Sequence, residues 1–429
     1  MLKYLANFFL TALLLSACVE STQKEPALTY TTPESVGVSS DRLANIDQML
    51  STAVTTNEIP GVVAFVARDG KIVYHKAFGM ADAIDGTPMD KTKLFRIASQ
   101  TKAITCTATM MLWEEGLFML DDPIGKYLSE FSQMGLLESF NEADSSFTLT
   151  PIDKPITIRH LLTHTSGLGY GFIDGDDRFR KIFIKNSIID AFTTKSVVLK
   201  DNMQKLAKLP LHHLPGEKWT YGEGIDVLGY LVETLSGMPL DQFFKTRIFE
   251  PLGMNDTYFY LPENKADRLV TLHKKEDGNW IKYPTSTYFD PDFPRKGAKS
   301  YFAGGAGLTS SPLDYVRFLQ MYLNEGELDG NRLLSPTTVK VILSNQIGDL
   351  RIDTGLTQGL AFGLITENGG TLGGRGSAGT FEWGGYFNTS YFADPKTQTI
   401  GILMKQAIEI PKDDTGWKFR QLVGASIVE

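Results

Sequence analysis

The most constraining feature of this 429-residue chain is that its strand-like segments lie near both ends, with helical segments between them. Near the beginning, two β-branched and aromatic runs at 62–67 and 72–77 flank Asp69-Gly70, which is a strong hairpin signal. Near the end, two further runs lie at 388–393 and 399–405. The pattern predicts a single α+β unit in which one sheet is built from both ends of the chain and carries a helical insert.

Composition and charge narrow the class of protein. The chain is 42% hydrophobic and 21% charged, which is enough apolar material for a large core. Its net charge of -8 is spread without a basic block, so nucleic-acid binding is not expected. Oligomeric state cannot be read from the sequence.

The first residues resemble an export signal. Lys3 precedes an apolar run at 8–15 that is short for a membrane span, and Leu15-Ser16-Ala17-Cys18 resembles a bacterial lipobox. We therefore expect a signal peptide at 1–17, lipidation of Cys18 and a tether at 18–28. The alternative is a plain cleaved signal with an incidental cysteine.

The residues after Cys18 indicate where in the cell envelope the protein would be anchored. Val19 and Glu20 do not resemble the aspartate that retains lipoproteins at the inner membrane, so a periplasm-facing anchor in the outer membrane is expected. The other cysteine, Cys106, lies on an apolar helical segment and is interpreted as a small core residue rather than a nucleophile. With Cys18 acylated, no structural disulfide is possible.

Ser99-Gln100-Thr101-Lys102 is the first candidate for chemistry. It stands where an extended segment gives way to a helical pattern, and three residues are nearly one helical turn, so both side chains share a face. A serine hydroxyl becomes a nucleophile when a neighbouring base takes its proton. The alternative is a helix start with a solvated lysine.

Two further segments join this motif. Tyr221 precedes a helical pattern, and a tyrosinate beside a lysine ammonium is a credible base; taken alone, it could equally be a core tyrosine. Gly384-Gly385 in a strand would let a ligand approach the strand edge, and the N–H of Tyr386 could pair with that of Ser99 as an oxyanion hole.

Other short motifs for cofactor binding or catalysis are excluded by the residues around them. Residues 374–379 match G-x-G-x-x-G, but no strand precedes them and no helix follows. There is no G-x-S-x-G elbow, because Arg375 stands where glycine is needed before Ser377. The six histidines show no H-E-x-x-H, so neither a metal nor another cofactor is expected.

Taken together, the chain resembles the serine β-lactamase-like hydrolases, in particular the class C β-lactamases and the related family VIII carboxylesterases. The resemblance runs from about Leu43 to Gln406. It rests on the S-x-x-K motif, the segment 161–168, the block around Tyr221, Gly304-Gly305-Ala306-Gly307-Leu308, and Trp383-Gly384-Gly385 where β-lactamases carry K-T-G.

The resemblance implies a fold and a site. The fold would be an antiparallel sheet flanked by helices plus an all-helical subdomain, in a hydrolase domain at 29–429. Its α/β part would lie at about 29–103 and 295–429, and its helical insert at about 104–294. Ser99 would be the nucleophile, Lys102 and Tyr221 the proton-transfer pair, and the Ser99 and Tyr386 N–H groups the oxyanion hole.

Two positions depart from the β-lactamase pattern and bear on substrate binding. Trp383 stands where a lysine faces the substrate carboxylate, and Glu223 stands where an asparagine contacts the acyl side chain. Together with Gly384 and Gly385 these are the predicted substrate-binding residues, and both departures favour neutral esters or amides over anionic β-lactams. Arg375 is a candidate for restoring the missing charge.

The sequence thus predicts a lipid-anchored, cofactor-independent serine hydrolase that forms an acyl-enzyme with a small ester or amide, most readily a short-chain or neutral carboxylic ester. The same-fold alternative is a β-lactamase or D-amino-acid peptidase. An alternative of another class is a non-catalytic cell-envelope binding protein, although such a protein has no need of Ser99, Lys102 and Tyr221 together.

Overall fold

The computed structural model describes residues 27–286, 290–351, 354–410 and 413–429. The predicted signal peptide, Cys18 and nearly all of the tether lie outside the described residues. The helices are α1 Ser40–Thr55, α2 Thr101–Glu114, α3 Ile158–Leu162, α4 Asp177–Lys185, α5 Leu199–Leu206, α6 Gly224–Ser236, α7 Leu240–Phe244, α8 Glu250–Leu252, α9 Phe293–Lys296, α10 Pro312–Leu323, α11 Pro336–Ile342, α12 Glu367–Gly373 and α13 Thr415–Ser426. The strands are β1 Thr29–Tyr30, β2 Gly61–Arg68, β3 Lys71–Asp82, β4 Thr87–Pro88, β5 Phe95–Arg96, β6 Gly135–Phe140, β7 Phe147–Pro151, β8 His273–Glu276, β9 Asn279–Lys282, β10 Thr309–Ser310, β11 Glu327–Leu328, β12 Asn331–Arg332, β13 Leu356–Gln358, β14 Gly363–Ile365, β15 Phe381–Gly385, β16 Thr389–Asp394 and β17 Thr399–Met404.

One large sheet joins the two ends of the chain. Its strand order is β1-β3-β2-β17-β16-β15-β14-β13, and β4 pairs with β3 outside this path. Neighbouring strands are antiparallel except for the short parallel pair of β1 with β3. The N-terminal hairpin meets the C-terminal meander where β2 pairs with β17. The predicted α+β fold with a sheet from both ends is therefore confirmed.

Alternation along β2 explains how the sheet is covered on both faces. Val62, Ala64 and Val66 pack in one apolar cluster with residues of α1 and α13. Val63, Phe65 and Ala67 point the other way into the larger cluster that contains α2 and α10. Successive side chains of a strand alternate between faces, so a strand that is apolar at every position must be buried on both.

Helix α2 lies inside the larger cluster, and every residue from Thr101 to Leu112 is buried. A helix that is apolar all round belongs in a core. Its threonine hydroxyls are hydrogen-bonded within the helix and to neighbouring segments: Thr107 Oγ1 donates to Ala103 O at 2.8 Å, and Thr105 Oγ1 donates to Gly304 O at 2.6 Å. The helix that begins beside Ser99 is thus held rigidly.

The segment predicted as a helical insert contains α3–α9, but also the two antiparallel hairpins β6–β7 and β8–β9. Period-2 patterning in these short exposed strands is too weak to distinguish from loop sequence. The boundaries of a helical subdomain remain a prediction. Among the described residues, no helix has the length and apolar character needed to cross a membrane.

Candidate active site

Ser99 lies at a sharp turn between β5 and α2. It is the middle residue of a 3-10 turn, Ala98–Gln100, and Ala98 before it has φ 43°. A positive φ is costly for any residue with a Cβ, and such strain is concentrated at functional sites. The turn is supported from the other side by β15: a Cβ on Gly385 would collide with the carbonyl oxygen of Ile97.

The Ser99 hydroxyl contacts both predicted proton-transfer residues. The Tyr221 hydroxyl donates to Ser99 Oγ at 2.6 Å, and Lys102 Nζ donates to Ser99 Oγ at 3.4 Å. Tyr221 is brought there from the loop that precedes α6, across a large sequence separation. The structure therefore places the three predicted catalytic side chains in one contact group.

Lys102 is only 2% exposed and has two shorter hydrogen bonds. Its Nζ donates to the Tyr170 hydroxyl and to Gly305 O, both at 2.7 Å. It also lies 4.7 Å from the centroid of the Tyr221 ring. The ammonium is thus fixed where its positive charge faces both the nucleophile and the tyrosine.

Tyr170 was not predicted from the sequence. It follows the segment 161–168 in a loop, where no periodicity or spacing signals a role. Burial, followed by repulsion from Tyr221 and from Glu223, raises the pKa of Tyr170 well above its usual value. Tyr170 thus stays a neutral hydroxyl that positions Lys102, while Tyr221 alone of the two tyrosines has a hydrogen bond to Ser99 among the described contacts.

His164 supports the site without touching the nucleophile. Its ring lies 4.8 Å from the Tyr221 ring and stacks on Trp383 at 6.1 Å between centroids. Burial, followed by the charges of Lys102 and Arg351, lowers the pKa of His164 well below its usual value. A neutral imidazole therefore packs between the tyrosine and the tryptophan and orients both.

A pocket of about 210 Å³ opens in front of Ser99. It contains Trp383 and Gly384, two of the predicted substrate-binding residues, and Tyr386, whose N–H is a predicted oxyanion donor. Gly385 faces the nucleophile turn instead. Among the described residues that line it, no side chain carries a charge. We call it the acyl pocket; its lining is Ser99, Tyr170, Phe172, Ile173, Ala191, Phe192, Tyr221, Ala306, Trp383, Gly384 and Tyr386.

Glu223 does not line the acyl pocket. Its side chain is 0% exposed and lies with Asp190 and Asp226 in a cluster that we call the carboxyl cluster. Because α6 begins at Gly224, the helix turns this residue inward rather than toward substrate. In this arrangement the Glu223 side chain is not placed for the predicted contact with substrate.

The carboxyl cluster accepts hydrogen bonds from two backbone segments, which contain the hydrogen-bond partners of Lys102. Asp190 accepts hydrogen bonds from the Gly171 and Phe172 N–H groups at 3.2 and 2.9 Å, next to Tyr170. Asp226 accepts from the Gly305 N–H at 2.9 Å, and Gly305 O receives Lys102. The cluster thus lies directly behind the residues that hold the lysine.

Protons must be shared within this cluster. Both Glu223 carboxyl oxygens and Asp226 Oδ2 are buried without a hydrogen-bond donor among the described residues. Burial, followed by repulsion from Asp226 and Asp190, raises the pKa of Glu223 well above its usual value, and burial raises the pKa of Asp190 to about 6. A protonated Glu223 supplies the missing donor.

The remaining candidates are not among the described residues that line the acyl pocket. The Arg375 guanidinium lies 4.9 Å from the centroid of the Trp417 ring on α13, and its replacement of the missing lysine stays a prediction. Cys106 is buried in α2, and burial raises the pKa of its thiol, as expected for a core residue.

Comparisons with known proteins identify the family of the chain. The family described as Beta-lactamase matches residues 46–425. Protein Rv1367c of Mycobacterium tuberculosis is 32% identical over 81% of this chain and 86% of its own length. Esterase EstB of Burkholderia gladioli is 31% identical over 82% of this chain and 87% of its own. Among solved structures, EstCE1, described as a hydrolase with promiscuous acyltransferase activity, superposes with a TM-score of 0.76 at 26% identity, covering 89% of this chain and 98% of that one.

Proposed function

The chain belongs to the β-lactamase family and is a serine hydrolase, and we propose that it is a carboxylesterase that cleaves neutral, short-chain esters through an acyl-enzyme on Ser99. The observation that carries the substrate preference is the acyl pocket. Its described lining is apolar and aromatic, and Trp383 fills the position at which a lysine would meet a carboxylate. A carboxylate in this pocket would lose its hydration without gaining a charged partner.

The contacts of Ser99 define the acylation step. Tyr221 acts in its tyrosinate form: Ser99 Oγ attacks the ester carbonyl carbon, and the Ser99 proton moves to the Tyr221 oxygen, which lies 2.6 Å from Ser99 Oγ. Tyr221 then gives that proton to the leaving alcohol oxygen as the carbon–oxygen bond breaks. The Lys102 ammonium stabilises the negative charge that Tyr221 carries before it takes the Ser99 proton and again after it gives that proton up. Water repeats the sequence in reverse and releases the acid.

The nucleophile can be tested directly. A fluorophosphonate probe should give one adduct on the peptide that contains Ser99, and Ser99→Ala should abolish it. The matched control is Ser377→Ala, which removes the serine of the failed elbow motif. An adduct that survives Ser99→Ala would refute the assignment of the nucleophile.

The substrate preference needs a separate assay. Short-chain p-nitrophenyl esters should turn over readily, while nitrocefin should be slow or inert. The measurement is kcat/KM for both substrates on the wild-type protein. A higher value for nitrocefin would favour the β-lactamase alternative.

Acyl transfer is a second candidate activity, favoured by the acyltransferase side activity named for EstCE1. An alcohol that enters beside Tyr221 could replace water in the second step. Adding a short alcohol should then convert part of the acyl-enzyme to a new ester, detectable by gas chromatography. Release of free acid alone at every alcohol concentration would exclude transfer.

We further propose that Cys18 is lipidated and anchors the protein to the outer membrane, facing the periplasm. The support is the sequence Leu15-Ser16-Ala17-Cys18 after an apolar run. In a Gram-negative host, Cys18→Ser should lose labelled palmitate and leave the membrane fraction or remain uncleaved. Cys106→Ser, which alters the buried cysteine, is the control. Unchanged labelling and fractionation of Cys18→Ser would show that this cysteine is not the anchor.

A further inference from the structure

Arg351 lies at the end of a stack of side chains that begins at Tyr221. Its guanidinium carbon is 4.0 Å from the centroid of the Trp219 ring, and that ring stacks near the Tyr221 ring at 6.0 Å between centroids. Tyr221 in turn contacts Ser99 Oγ. Three stacked groups thus lead outward from the nucleophile and end in a cation.

A second cavity of about 400 Å³, which we call the outer cavity, lies next to the acyl pocket and includes Arg351. The two cavities share Trp383 and Gly384 in their linings, so they meet at one point of β15. The register of the sheet leaves this point accessible, because β14 pairs with β15 only at Phe381 and Glu382. The two cavities are therefore neighbours along the edge of β15 that β14 leaves unpaired.

The charges of the outer cavity do not cancel. Lys405 forms an ion pair with Asp413. Arg420 forms an ion pair with Glu382. Arg351 has no carboxylate within ion-pair distance among the described residues.

The contacts of Arg351 leave room for an anion. Among the described contacts its guanidinium has one hydrogen bond, which Nη1 donates to Gln358 Oε1 at 3.3 Å. Its guanidinium is partly buried, and this burial lowers the pKa of Arg351 from its usual value. A partly desolvated cation without a counter-ion is a binding site for an anion.

We propose that Arg351 binds a carboxylate on the alcohol portion of the substrate. This rests on the proposed esterase function, in which Tyr221 returns a proton to the leaving oxygen. The alcohol portion must then lie on the Tyr221 side, where Trp219 and Arg351 follow, while the acyl portion occupies the apolar pocket. The inference names the substrate class more closely: an ester of a small neutral acid with an alcohol that carries an anionic group.

The geometry favours recognition by this arginine. A guanidinium held flat against an indole has lost part of its side-chain freedom before binding, and its remaining N–H groups can meet both oxygens of a carboxylate. Hydrogen bonds to charged groups in proteins are strong enough to change binding by about tenfold to a hundredfold.

The test compares paired esters. The substrates are the acetates of a hydroxybenzoate and of a longer hydroxyphenylpropionate, each assayed beside its own methyl ester. The two alcohols differ in the distance from the acetate ester to the carboxylate, and the methyl ester removes the charge. The readout is the ratio of kcat/KM for the carboxylate over kcat/KM for the methyl ester. In Arg351→Gln this ratio should fall by about tenfold to a hundredfold, and Arg351→Lys should restore part of it.

The matched control is Arg375→Gln. It removes the same charge from a guanidinium that also stacks on a tryptophan, but on Trp417 rather than Trp219. Arg375 is partly buried and its charge acts on Arg351, so this variant measures the effect of removing a nearby charge alone. Its ratio should stay within about threefold of wild type, since a charge without direct contact to the carboxylate acts weakly in salt. Circular dichroism verifies that each variant is folded.

The possible results separate the two proposals. An equal loss for both members of a pair in Arg351→Gln, or an unchanged ratio, would overturn the role of Arg351 while leaving the esterase intact. If no ester is hydrolysed by the wild type, the esterase proposal fails, and calorimetry with the free hydroxybenzoate decides the inference. Binding about tenfold weaker to Arg351→Gln would support it, and equal binding would overturn it.

Discussion

Glu223 offers a test of the carboxyl cluster by two substitutions that differ in one respect. Glu223→Gln keeps the side-chain shape and supplies an amide N–H₂, so it can donate to both Asp190 and Asp226 at every pH. Glu223→Ala removes the donor and leaves a cavity, with Asp226 Oδ2 still buried. We expect Glu223→Ala to lower the free energy of unfolding by about 2–5 kcal/mol.

The pH dependence follows from the sign of the shift. The pKa of Glu223 is raised well above its usual value in the folded state by burial first, then by Asp226 and Asp190. Its stabilising contribution is therefore fully present below the unfolded pKa of about 4.3, and is lost as the pH rises through the folded pKa. Asp190, with its pKa raised to about 6, acts in the same direction. Raising the pKa of Asp190 from its usual value of 3.8 to about 6 means that the fold favours the protonated over the ionised carboxyl group by about 3 kcal/mol.

Urea unfolding followed by circular dichroism between pH 5 and pH 8 measures the effect. The wild-type free energy of unfolding should fall relative to that of Glu223→Gln by up to about 1.4 kcal/mol per pH unit, the limit for one proton. Glu217→Gln, an exposed change on the preceding loop, should run parallel to wild type. Parallel curves for Glu223→Gln and wild type, or equal stability of the Gln and Ala variants, would refute the shared-proton reasoning.

Three other predictions concern the site itself. Tyr221→Phe should leave the fold intact and slow acylation by about 10²–10⁴-fold, and adding Lys102→Ala should cost far less than the product of the single losses; multiplicative losses in stopped-flow acylation would show that the residues act independently. Trp383→Lys should raise the ratio of kcat/KM for nitrocefin over a p-nitrophenyl ester, and an unchanged ratio would remove Trp383 as the determinant of preference. Gly385→Ala should displace the Ser99 turn, because its new Cβ would collide with Ile97 O; we expect at least a tenfold loss of kcat/KM, and wild-type kinetics would contradict the close approach.

Local sequence signals predicted much of the framework. The hairpin around Asp69-Gly70 is present as β2 and β3, and the predicted helix at 40–54 is α1. Both depend on contacts between near neighbours, which period and turn chemistry encode directly. The one-turn spacing of Ser99 and Lys102 is of the same kind.

What the sequence did not predict depends on distant contacts. Tyr170 reaches Lys102 from a loop, and Arg351 reaches Trp219 from a segment with no regular pattern. For Glu223, closeness in sequence suggested a contact with substrate that its position does not favour. It lies two residues from Tyr221, yet the start of α6 directs its side chain into the core. Neighbourhood in sequence does not fix which way a side chain points at a helix start.

The pairing of β2 with β17 has a consequence for how the protein reaches its native state. Val63 lies opposite Met404, and Arg68 lies opposite Thr399. The centre of the sheet therefore joins a segment synthesised early to one synthesised late. Such non-local pairing slows folding, because the entropy of closing a long loop is lost before the contacts form. Ser99 lies near the beginning of the segment that this pairing closes, and Trp383 lies near its end. Hydrolytic activity should consequently appear as one of the last events of refolding, after most helical structure has formed.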